Sequence, residues 1–269
     1  MDTSPDTCSD TPGTTVTDHR EDVTVDGHRI EVVRLDGDTR RAALVLLHEG
    51  LGSVGLWRGF PASLQAATGR RLIIYSRFGH GRSAPPPQPR TPAFFGEEAH
   101  NVLPKLLAEC GVERPILIGH SDGGSIALVH AAAHAVGGIV LIAPHVVVED
   151  MTITAIEEVR DVFRGGRLRE RMTRHHDDPD AAFWGWCDVW LDPAFRAFNL
   201  QADAENVSAP TLLIQGAEDP YGTLDQLDRI QSRVRGPVER LVVPGGHSPH
   251  LEQPAAVVER IAAFTAELA

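Results

Sequence analysis

Cysteine is scarce in this sequence. Cys8, Cys110 and Cys187 are the only three, odd in number and far apart. That spacing excludes a disulfide scaffold and matches no metal-ligand pattern; reduced thiols in a cytosol are the plain reading. No apolar run reaches the roughly 18 residues of a membrane span, so none is expected. The opening stretch "MDTSPDTCSDTPGTTVTD" lacks both a basic segment and an apolar one. No signal peptide is therefore expected, residues 1–15 read as a loose tail, and the expected location is cytoplasmic. Basic charge is also in deficit: 25 Lys and Arg face 37 Asp and Glu, a net charge of −12. Nucleic acid and anionic membrane are thereby poor candidates for the main partner. A small-molecule substrate remains, and oligomeric state is not readable.

What is present is a packed α/β pattern. With 269 residues, 42% of them hydrophobic, the chain can bury one large core. "VTVDGHRIEVVRL" alternates around Asp26-Gly27 and predicts a tight hairpin. Six short apolar runs follow: "RAALVLLHEG", "RRLIIYSRFGHGRS", "RPILIGH", "GGIVLIAPH", "APTLLIQGAED" and "VERLVVPGGH". Such runs suit strands buried on both faces. Helical stretches near 54–67, 97–110, 122–135, 224–235 and 254–268 lie between or after most of them, Pro254 suiting a first turn. The alternation predicts a mostly parallel, doubly wound sheet of about eight strands. Residues 146–208 interrupt it. They hold Trp184, Trp186 and Trp190, three of the four tryptophans, and predict a helical lid whose aromatics line a pocket. The core then comprises 16–145 and 209–269.

Sites in open α/β sheets form at the carboxyl ends of strands. There the chain places "HEGLGS", "SRFGHGRS", Ser121, Asp219 in "GAEDPYG" and His247 in "GGHSPH". A serine, an acid and a histidine arrive in that order. Gly-x-Ser-x-Gly alone is weak evidence. Here Ile116–Ile118 precede it and an Ala-rich helix follows, so the turn is sharp and Gly119 and Gly123 are needed for lack of a side chain.

At these residues the chain resembles the α/β-hydrolase fold family, over roughly residues 20–268. The resemblance implies a serine hydrolase with Ser121 as nucleophile, Asp219 as triad acid and His247 as base. It implies an oxyanion hole from the backbone N–H groups of Asp122 and Gly50, with Leu51 as the alternative donor because Glu49 stands where relatives carry glycine. No metal or organic cofactor is implied. His250 is the rival base. Glu218 is the rival acid, as are Glu149 and Asp150 for members that take the acid before the lid. Glu49, Leu51, His145 and the three tryptophans are the expected pocket wall, with His48 orienting the oxyanion loop and His120 a further wall residue. Glu49 and Arg77 are expected to form a partly buried ion pair bracing that loop. The Asp122 side chain is expected to turn away into bonds near its helix start. The Arg-rich stretch 164–174 reads mainly as a solvated face; attraction of an anionic or coenzyme A-linked substrate is its alternative. The expected reaction is hydrolysis of a small or medium carboxylic ester or thioester through an acyl-enzyme. The alternatives are a C–C hydrolase acting on a β-diketone-like or ring-cleavage product, and a non-catalytic binding protein on the same scaffold.

Overall fold

Each apolar run forms a strand, because a run without polar interruption is stable only where both faces are covered. The computed structural model describes residues 18–268, so the expected tail lies outside the described residues. The strands are β1 (Asp18–Val25), β2 (His28–Leu35), β3 (Leu44–Leu47), β4 (Leu72–Tyr75), β5 (Ile116–His120), β6 (Gly138–Ile142), β7 (Thr211–Gly216) and β8 (Val238–Val243). They form one sheet in the order β1-β2-β4-β3-β5-β6-β7-β8. β2 pairs antiparallel with both β1 and β4, and the remaining neighbours pair in parallel. The β1–β2 turn places Asp26 and Gly27 at φ 51° and 80°, the double positive φ of a type I′ hairpin.

Side-chain alternation splits the core in two. Leu44, Leu46, Ile116 and Ile118 face one layer, where α1 (Phe60–Thr68) and α11 (Pro254–Ala266) pack through Leu64, Ile261 and Phe264. Val45, Leu47, Ile73 and Leu117 face the other. There lie α2 (Phe94–Glu97), α3 (Leu103–Glu109), α4 (Asp122–Ala133) and α9 (Asp225–Gln231). The helix expected over 97–110 is interrupted by a π turn at Glu98–Val102. Pro104 follows at once; it has no N–H and its ring crowds the carbonyl one turn back, so the helix widens there.

Between β6 and β7 the sheet gives way to α5 (Asp150–Arg164), α6 (Arg167–Met172), α7 (Pro179–Leu191) and α8 (Gln201–Ala204). Phe163 of α5 stacks on Phe183 of α7 at 3.7 Å and 4°. A bridge between Val147 and Asn199 closes the neck of this insertion. The last short helix, α10 (Pro249–Glu252), follows β8. No helix among the described residues is long and apolar enough to cross a membrane.

Candidate active site

β5 ends at His120, and the chain turns at Ser121 with φ 52° and ψ −119° before α4 begins. Such a backbone costs a β-carbon-bearing residue about 1–3 kcal/mol and persists only where its surroundings enforce it. They do so here through two glycines. A β-carbon on Gly123 would lie 2.0 Å from the Leu47 carbonyl oxygen, and one on Gly119 would lie 2.2 Å from that of Gly123. The turn therefore holds the Ser121 hydroxyl above the sheet, at a helix N-terminus.

Asp219 follows β7 and His247 follows β8. The ring Nδ1 of His247 lies 3.0 and 2.9 Å from the two Asp219 oxygens. The Tyr221 N–H donates to the same carboxylate at 2.8 Å, which fixes its orientation. Glu252 accepts the Gly246 and Ser248 N–H groups at 2.6 and 3.0 Å and so fastens the loop on either side of His247. No hydrogen bond joins the Ser121 hydroxyl to His247 among the described residues; such contacts are often loose until substrate is bound.

The rival residues have other partners. His250 is buried with its ring 5.0 Å from Trp57 and 5.2 Å from Phe60, and burial pulls it down to about 3. Glu218 accepts the Gly245 N–H, Glu149 accepts from Thr223 and Gln226, and Asp150 meets Arg196.

The loop after β3 departs from expectation. The Arg77 guanidinium donates to the backbone carbonyls of His48 and, at 2.7 Å, of Glu49. The anticipated Glu49–Arg77 ion pair is not made: no contact within 4.0 Å joins the two charged groups, and among the described residues the only such contact of Glu49 is with His120 Nδ1, at 4.0 Å. The reason is geometric, since the loop turns its carbonyls toward Arg77 and its carboxylate toward the cavity. The bracing is real but runs through backbone. His48 adds to it, donating from Nδ1 to the Glu49 carbonyl at 2.7 Å and accepting the Arg77 N–H at 3.0 Å. Neither the Gly50 nor the Asp122 N–H has an acceptor among the described residues.

These groups open into a cavity of about 250 Å³ lined by Ser121 and His247, with Glu49, Leu51, His145, Trp186 and Trp190 in its wall as expected. His120 also lines it, its Nε2 donating to the His247 carbonyl at 2.7 Å. Trp184 is not in the wall. It packs edge-on against Phe163 and Phe183 inside the insertion, with the Arg164 guanidinium 5.7 Å from its ring. The Asp122 carboxyl also differs from expectation. It accepts the Trp190 indole N–H at 3.2 Å, tying the elbow to the insertion, and its other oxygen is buried without a partner. Burial pushes both Asp122 and Glu49 up from the ordinary carboxyl range. Among the described residues no lysine or arginine lines this cavity. Thr152, Ile156 and Tyr221 line it and were not anticipated. Thr152 and Ile156 stand one turn apart on α5, so helical spacing was the available signal.

Seven buried histidines sit in the described core: 48, 80, 120, 130, 145, 176 and 250. Desolvation lowers every one, to about 4 for His130, His145 and His176. Below about pH 6.5 the unfolded chain takes up protons that the folded chain refuses, so stability is full above that pH and falls as pH drops toward 4. Each group costs at most about 1.4 kcal/mol per pH unit. Buried Glu49, Glu98 and Asp122 act in the opposite sense but are fewer. The urea midpoint is expected to fall steadily from pH 6.5 to 4.5 and to stay nearly flat from 7 to 8; a flat profile over the lower range would contradict this reading of the histidines.

Comparison with known proteins adds to this geometry. The model of a family described as "Alpha/beta hydrolase family" matches residues 44–260. The chain is 26% identical to mouse (Mus musculus) Serine hydrolase BPHL over 254 residues, covering 89% of this chain and 83% of that protein. The match to the human protein of that name is 28% over 195 residues and covers 67% of this chain and 64% of the relative. The Putative carbamate hydrolase RutD of Caulobacter sp. (strain K31) is 26% identical, covering 87% and 93%. Among solved structures, the enol-lactonase from Burkholderia xenovorans LB400 aligns with TM-score 0.73 at 18% identity, over 92% of this chain and all of that one. The 2-hydroxy-6-oxo-6-phenylhexa-2,4-dienoate hydrolase from Rhodococcus sp. strain RHA1 aligns with TM-score 0.75 at 17% identity, over 93% and 99%. At such identities the solved structures show the shared fold.

Proposed function

The chain belongs to the alpha/beta hydrolase family, and on that premise we propose that it is a serine hydrolase cleaving small or medium carboxylic esters or thioesters through an acyl-enzyme. The observation that carries the proposal is the Asp219–His247 pair opening onto the same cavity as Ser121 on its strained turn. The Ser121 oxygen attacks the carbonyl carbon while His247 Nε2 takes its proton. Asp219 holds the proton-bearing Nδ1 and stabilises the imidazolium that forms. The Gly50 and Asp122 N–H groups receive the oxyanion, each worth about 3 kcal/mol of barrier by the usual cost of losing such a donor. Collapse expels the alcohol or thiol, protonated by His247. Water, deprotonated by the same ring, then frees the acid and restores Ser121.

The helical insertion acts as the lid in this reading, with Trp186 and Trp190 as the apolar wall for the acyl group. Two carboxyls and no cation in the cavity favour an uncharged acyl portion over a substrate with its own carboxylate beside the reacting bond. That observation ranks ester or thioester hydrolysis above C–C hydrolysis of an enoate. A fluorophosphonate probe tests the proposal against a non-catalytic scaffold. Mass spectrometry should find one adduct, on Ser121, in folded protein and none after unfolding. Absence of labelling from the folded protein would overturn it.

A further inference from the structure

A second cleft, of about 330 Å³, abuts the Ser121 cavity and shares Glu49 and Leu51 as its wall. Arg58 comes to it from the loop before α1, and Arg171, Arg174 and His175 come from α6 and the turn after it. None of these three guanidiniums has a carboxylate within 4.0 Å among the described residues. On the same helix Arg169 pairs with Asp180, whereas Arg167, like Arg171, has no carboxylate partner among the described residues. In a chain of net charge −12, three free arginines on one cleft are a local reversal of sign.

Two further observations lie at the same place. Arg58 has φ 52° and ψ −130°, a strained backbone for a long side chain that its surroundings must enforce. Ser53 is 1% exposed and its hydroxyl has no partner. It lines an adjoining polar recess of mixed charge, with Arg82, Arg174 and His175 on one side of the balance and Glu31 and Asp177 on the other. Burial, then Arg58, Arg174 and Arg171 beside it, lowers His175.

We infer that this cleft is a subsite for the phosphate-bearing end of the leaving group, so that the preferred substrate is an ester or thioester whose alcohol or thiol portion ends in phosphate. The inference rests on the hydrolase reading above. Each guanidinium fork can bind a phosphate bidentately, and three of them on one cleft suit a group with more than two oxygens and more than one negative charge. Glu49 stands between the two cavities and repels an anion from the inner one. The neutral acyl group therefore enters past Leu51 toward Trp186, and the charged tail stays outside against Arg58, Arg171 and Arg174. The solvated-face reading of 164–174 then holds for Arg164 and Arg167 but not for Arg171 and Arg174.

The test compares acetyl-coenzyme A with the acetyl thioester of N-acetylcysteamine, which offers the same bond without phosphate. Wild type is set beside the triple variant Arg58→Gln, Arg171→Gln, Arg174→Gln, and coenzyme A binding is measured in parallel by calorimetry. The ratio of kcat/KM for the phosphorylated over the neutral thioester is expected to fall at least tenfold in the variant. Coenzyme A binding should weaken by a similar factor. An unchanged ratio, or coenzyme A binding that is absent or indifferent to the arginines, overturns the inference while leaving the hydrolase reading standing. Arginine-dependent binding by a protein that turns over no ester or thioester overturns the hydrolase reading, and with it the assignment of the tail to a leaving group.

Discussion

Ser121→Ala is expected to lower kcat/KM for any ester the protein accepts by about 10⁴- to 10⁶-fold, the range seen when a nucleophile that works as one unit with its base is removed. In barrier terms the upper figure is about 8 kcal/mol. Stability should barely change. Alanine inherits the same φ of 52° at the same backbone cost, and the hydroxyl makes no hydrogen bond to His247 whose loss would weaken the fold. The Gly50 and Asp122 N–H groups remain, so the variant should keep a small rate above that of water and should still bind product. Initial rates on 4-nitrophenyl acetate, with circular dichroism to confirm folding, decide the matter. A loss under tenfold would move the nucleophile elsewhere, and Ser248, which lines the same cavity, would be the next candidate.

The elbow was legible because its signal is local. A strand, a turn that only glycine permits and a helix are adjacent in sequence, so "GHSDGG" and its flanks carry the geometry within about twenty residues of chain. Asp219 and His247 were legible for a related reason. Parallel strands deliver their carboxyl ends to one edge of the sheet, and both residues follow apolar runs. The failures have a different physical origin. That Glu49 and Arg77 would be near each other followed from β3 pairing with β4. Which oxygen Arg77 would select depended on how the loop turns its carbonyls, and no residue pattern states that. All three tryptophans fall in the insertion, which groups Trp184 with its neighbours, and helical spacing separates it from them. Trp186 and Trp190 are four apart on α7 and share a face, whereas Trp184 is two from Trp186 and points away. The arginine cleft was least legible. Arg58 meets Arg171 and Arg174 only because the insertion folds back over the loop before α1, more than a hundred residues away in the chain.

Asp219→Asn is expected to reduce kcat by about 10⁴-fold, roughly 5.5 kcal/mol of barrier, with the fold intact. Asparagine is nearly the same shape, and its side-chain oxygen can still accept the Tyr221 N–H that Asp219 accepts at 2.8 Å. What changes is the partner of His247. The carboxylate accepts from Nδ1 and leaves Nε2 free to take the serine proton. An amide N–H placed there donates to Nδ1 instead, so the ring carries its proton on Nε2 and cannot act as base. The charge that steadied the imidazolium is also gone. Labelling of Ser121 by the fluorophosphonate should slow by a comparable factor, because attack on phosphorus needs the same base. Glu218→Gln supplies the contrast. Glu218 only accepts the Gly245 N–H, and Gln can accept it too, so rates should stay within about threefold of wild type. Parallel kcat measurements on the two variants separate the neighbouring acids. If Asp219→Asn kept more than a tenth of the wild-type kcat, or if Glu218→Gln fell further than it, the carboxylate that serves His247 would not be Asp219.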